Sequence, residues 1–150
     1  MSDNLISILN DLVETSRDGD QGFRAAAEDT QTPELRETFL RGAKDCAKGA
    51  ADLQELISRL GGEPQEHGSI AGAVHRGWVS LKAVAAERTD LAILEECERG
   101  EDVAKARYRK ALEEKLPDHV RSIVQRQYDG VARNHDQIRD LRDRYRSNAA

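Results

Sequence analysis

Glu101 holds the most chemical promise in this sequence, because its neighbours at helical spacing are Cys97 and Ala104. A carboxylate on such a stripe costs several kcal/mol if it is buried alone. It must therefore be protonated, paired, hydrated or bound to a cation. The last helical segment carries the polar groups that could meet it: Gln127 and Asn134 fall on its stripe, and His135 stands one step aside. Glu101 and His135 are the candidate metal ligands, since a carboxylate oxygen and an imidazole nitrogen suit iron or another divalent metal. A hydrogen-bonded or ionic pair within the core is the simpler reading of the same two residues, and the sequence favours it. Tyr108, Gln127 and Asn134 read as core polar residues, with Tyr108 and Gln127 satisfying each other.

Other chemistries find little support. Cys46 and Cys97 are far apart, form no Cys-x-x-Cys pair and have no nearby activating cation, so they read as small buried hydrophobes. No nucleophile elbow, phosphate loop or dinucleotide motif places a Ser, His or Asp for reaction. The expectation is no catalytic residue and no organic cofactor site.

The elements that must position these residues are helices. Leu5, Leu9, Leu12, Ser16, Gly19, Phe23 and Ala26 recur in steps of four and three, one face of a helix over about 3–29. Thr32-Pro33-Glu34 restarts the chain with an N-cap hydroxyl, proline in the first turn and an acid beside it. A second helix over about 33–60 then carries Leu35, Phe39, Gly42, Cys46, Gly49, Leu53 and Leu56, until Gly61-Gly62 stops it. Thr89 or Asp90 opens a third helix over about 89–115, Leu116-Pro117-Asp118 breaks it, and a fourth runs over about 118–146. Between the second and third lies a crossover, 61–88, with a weaker amphipathic stretch that predicts a short helix over about 70–86. Trp78 lies on its apolar face and is the expected contact surface for a partner. No stretch alternates as a strand does. The pattern predicts an all-α four-helix bundle, one domain over 1–150, with a long crossover containing a short fifth helix.

Folding the sequence about its turns assigns levels along the bundle. Reflection about residue 31 sets Phe23 against Phe39 and Ser16 against Cys46. Reflection about 117 or 118 sets Tyr108 beside Gln127, and Glu101 beside Asn134 and His135. If the crossover returns the chain to the turn end, Glu101 falls near Ser16 and Cys46. A polar middle layer follows.

Composition narrows the function classes further. The 150 residues include 23 Lys and Arg against 28 Asp and Glu, a net charge of −5, which offers no electrostatic reason to bind nucleic acid. With 38 % hydrophobic and 34 % charged residues, the core must be thin and well patterned. No run approaches the roughly 18 apolar residues that span a bilayer. The acidic opening stretch reads as neither a secretory nor a transit peptide, so no membrane association and a cytoplasmic location are expected.

The segments SRDGDQGFR, HRGWVSLK, ILEECERGEDVAKARYRKAL and QYDGVARNHDQIRDL resemble a bacterial family of uncharacterised ferritin-like four-helix-bundle proteins over about residues 3–145. The resemblance implies a ferritin-like fold and no known activity. Ferritin-like proteins often hold two irons through a Glu on each of two helices and Glu-x-x-His on the other two. Here Glu101 matches one Glu and His135 one His, while Ala132 stands where the partner Glu belongs, and the first two helices offer Ser16 and Cys46 at that level. The expectation is a non-enzymatic helical bundle that acts by binding a protein partner or by forming a homo-oligomer. The alternative is a metal-binding protein with a degenerate di-iron site.

Overall fold

A computed structural model of the protein describes residues 2–64 and 89–149. Four helices account for nearly all of them: α1 (Ser2–Asp29), α2 (Pro33–Arg59), α3 (Asp90–Glu113) and α4 (Asp118–Ala149). The expected short helix at 70–86, and Trp78 with it, lies outside the described residues. No strand occurs among the described residues, and no described helix is long and apolar enough to cross a membrane.

The turn chemistry sets where each helix begins and ends. Thr32 is extended and Pro33 opens α2, as the sequence implies, but the Thr32 hydroxyl does not cap that helix. It donates instead to Asp90 Oδ2 at 2.5 Å, and the buried Thr30 hydroxyl donates to Asp90 Oδ1 at 2.6 Å. One carboxylate at the start of α3 thus captures both hydroxyls of the α1–α2 turn. Arg36 closes the same corner by donating to the carbonyls of Ala27 and Thr30. Thr89 does cap α3, accepting the Ala92 N–H at 3.1 Å. At the far end Gly61 adopts φ +84°, which lets the N–H groups of Gly61 and Gly62 return to the carbonyls of Ser58 and Ile57. That double return terminates α2 in a Schellman motif.

Asp90→Ala should expose the cost of that corner. Two hydroxyls lose a charged acceptor, a loss of about 2 kcal/mol, or a Tm about 4–8 °C lower for a chain of this size. Thermal denaturation followed by circular dichroism reads it; an unchanged Tm would mean that the corner contributes nothing.

These ends also fix the topology. Asn10 near the start of α1 bonds the Glu63 carbonyl beyond α2, whereas Asp90 sits at the α1–α2 turn. The chain therefore leaves α2 at one end of the bundle and re-enters at the other. α2 and α3 run parallel, while α1 opposes both and α4 opposes α3. α1 packs against α2 and α3, and α3 against α4, whereas α2 and α4 make hardly any close backbone approach.

The apolar core is divided in two. At the α1–α2 turn end, Phe23, Leu35, Phe39, Leu94, Cys97 and Ile138 form one cluster. The other holds Leu9, Leu12, Leu53, Ile57, Val120 and Val124 with the ring of Tyr108. Gly42 gives α2 room in the first, since a Cβ there would lie 3.2 Å from the Phe23 ring. Each stripe carries its small or polar residues at mid-length, and they meet between the clusters.

Candidate functional site

All four helices contribute to this middle layer. The Tyr108 hydroxyl on α3 donates to Gln127 Oε1 on α4 at 2.8 Å. With its only proton so committed, Tyr108 accepts from Ser16 Oγ on α1 at 3.2 Å. Gln127 Nε2 in turn donates to the Gly49 carbonyl on α2 at 3.2 Å. Burial pushes the Tyr108 phenol well above its ordinary pKa, partly opposed by the bond from Ser16, so the phenol stays protonated.

Beside this chain Glu101 is only 4 % exposed. Its Oε1 accepts from Asn134 Nδ2 at 2.5 Å. Burial raises its pKa from 4.5 to about 8; the Asn134 bond opposes the rise, Asp102 adds to it and Lys105 opposes it. Near neutrality the group is a carboxylic acid more often than a carboxylate. Cys46, half-buried, and Cys97, fully buried, are free thiols pushed up by burial and by Glu101. Both remain thiols.

Because α2 and α4 stand apart, the layer opens into a cleft of about 500 Å³. Phe23, Gly42, Ala104 and Val131 supply apolar wall, and the exposed Lys48 and Arg126 stand at its mouth. The floor is formed by the hydroxyls, amides and carboxyl already described.

His135 belongs to a different group. Its Nε2 lies 2.6 Å from Asp102 Oδ1 and 3.9 Å from Glu98 Oε1, and its Nδ1 lies 3.2 Å from Asp136 Oδ1. Arg142 pairs with Glu98 Oε2 and, at 2.8 Å, with Asp143. The structure thus gives Glu101 to Asn134, and the acids of α3 that meet the imidazole are Asp102 and Glu98. Helical geometry explains the division, since residues 98 and 102 are one turn apart and share a face that residue 101 flanks. Glu98 and Asp102 escape a reading of the sequence because they lie off the apolar stripe. A signal exists nonetheless: reflection of His135 about the α3–α4 turn lands at 99 to 101, between them.

The profile of a family described as "Domain of unknown function (DUF2383)" matches residues 4–114. No curated protein matches the chain in sequence. Among solved structures, a mutant of Dps1 from Mycobacterium smegmatis superposes with a TM-score of 0.78 at 16 % identity, covering 93 % of this chain and 95 % of that one. At that identity the likeness concerns the fold alone, which is the ferritin-like four-helix bundle. The chain belongs to the DUF2383 family.

Proposed function

From that membership and the geometry of the middle layer, we propose that the protein acts by binding, without a two-iron core. Its cleft between α2 and α4 takes an uncharged organic molecule with an apolar body and one hydrogen-bonding end. The observation that carries the reading is the cleft itself: about 500 Å³ of apolar wall over a floor of amides, hydroxyls and one carboxyl. Pockets of this size and make-up hold small organic ligands. A floor with no fixed full charge favours an uncharged head, because a charged one would be desolvated without a counter-charge.

The same residues do not fit a pair of irons. Two such ions draw on four carboxylates and two imidazoles in ferritin-like cores. This layer offers Glu101 among the neutral Ser16, Tyr108, Gln127 and Asn134, with thiols that burial keeps protonated. Small-ligand binding also ranks above self-association on the described surface. The exposed large apolar side chains there are Leu40 and Leu60, too few for a sizeable apolar patch.

Nile red, uncharged and apolar with a carbonyl at one end, is a suitable probe. Saturable binding at one molecule per chain is expected, seen as enhanced and blue-shifted fluorescence. Gly49→Leu and Ala104→Leu would each fill the cleft; a Cβ at Gly49 meets Gln127 only at an ordinary 3.7 Å. Each variant should weaken binding at least about tenfold, the equivalent of one large apolar contact. Unchanged binding in both, with native circular dichroism, would remove the cleft as the site.

A further inference from the structure

Beyond the cleft, a separate cluster on α3 and α4 has the form of a cation site. We propose that Glu98, Asp102 and His135 bind one divalent transition-metal ion. Each offers one ligand atom, and the three atoms lie within 4.8 Å of one another.

The acids alone would not carry this inference; the imidazole does. The His135 side chain is 9 % exposed, and its Nε2 is buried without a hydrogen bond, although Asp102 Oδ1 is only 2.6 Å away. The oxygen therefore lies off the direction that an Nε2–H would take. A proton between two heavy atoms needs a near-linear bridge. A metal ion does not, because its ligands meet at it near 90–110°. Arms of about 2.1 Å at those angles set nitrogen and oxygen about 3.0–3.4 Å apart. The two carboxylate oxygens, at 2.6 and 3.9 Å from Nε2, bracket that spacing. Asp102 is 58 % exposed and free to adjust.

Neighbouring groups prepare the ligands. Asp136 Oδ1 faces Nδ1 at 3.2 Å, and a carboxylate can only accept, so Nδ1 carries the proton. In the neutral ring the lone pair then sits on Nε2, toward Glu98 and Asp102. Carboxylate–imidazole–metal is the usual arrangement for a histidine ligand. Arg142 engages Glu98 Oε2, leaving Oε1 for the ion. One nitrogen and two oxygens suit Zn²⁺, Fe²⁺ or Mn²⁺ over Mg²⁺ or Ca²⁺, which prefer oxygen alone.

Titration of the chelator-stripped, untagged full chain with Zn²⁺, against a chromogenic chelator, tests the site. One equivalent per chain is expected, and a hundredfold excess of Mg²⁺ should not displace it. Asp102→Asn and His135→Ala should each weaken binding by about 100-fold or more, and Asp136→Asn by about tenfold, given what outer partners alone are worth. Glu113→Gln, an exposed acid elsewhere on α3, should leave it unchanged. Asp102→Asn decides between the outcomes if His135→Ala fails to fold, because Asp102 is largely exposed. No saturable Zn²⁺ binding, equal binding by Asp102→Asn, or displacement by Mg²⁺ would each overturn the site. Nile red binding is independent of all three variants, so failure here leaves the cleft reading standing, and the reverse.

Discussion

Replacing Glu101 by glutamine should abolish most of the fall in stability that the native protein undergoes between pH 4.5 and about 8. The carboxyl titrates near 4.5 in the unfolded chain and at about 8 in the folded one. Between those values the folded state holds more protons than the unfolded state, so stability falls as pH rises. The contribution is fully present below pH 4.5 and is gone once pH passes about 8. Its size is several kcal/mol, at about 1.4 kcal/mol for each pH unit of the window. Glutamine has nothing to ionise and can still accept from Asn134. Urea denaturation at a series of pH values, with chelator present to exclude cations, should give a flatter profile for Glu101→Gln and higher stability than native near pH 8.5. Parallel profiles would show that Glu101 ionises in the folded protein as freely as in water.

Phe39→Ala should be the most damaging simple truncation at the turn end of the bundle. Phe39 is fully buried, and its ring stacks on Phe23 with centroids 6.3 Å apart and planes 26° apart. Removing it leaves a cavity between α1 and α2 and strips the Phe23 face, at a cost of about 3–5 kcal/mol. For a domain stabilised by about 5–15 kcal/mol overall, that is about a fifth of the total or more. The midpoint in urea should fall while the slope stays near native, and Phe39→Leu should recover more than half of the loss. A change below about 1 kcal/mol would mean that the core collapses around the gap.

Much of this arrangement is legible from spacing and turns. Reflection about residue 31 sets Phe23 opposite Phe39, and the rings stack. Reflection about 117 or 118 sets Tyr108 beside Gln127, and the two are bonded. Such levels are readable because a helix rises a constant 1.5 Å per residue. What lies off the stripe is harder to read. Glu98 and Asp102 sit among charges that look like a solvated face, and only the buried imidazole opposite sets them apart. The Thr32 hydroxyl looks like a cap, yet it donates to a carboxylate nearly sixty residues away, a charge-assisted bond that spacing along the helix does not announce. The cleft has no signature in sequence because it arises from a gap between α2 and α4, which spacing along either helix does not report.

The chain of bonds from Ser16 through Tyr108 and Gln127 to the Gly49 carbonyl touches each of the four described helices once. Hydrophobic attraction is non-directional, so by itself it would tolerate helices displaced lengthwise by one turn, about 5.4 Å. These directional links would not, because a shift of that size leaves donors and acceptors stranded away from water. They therefore work as an alignment pin through the bundle, selecting a single axial setting for four otherwise similar rods.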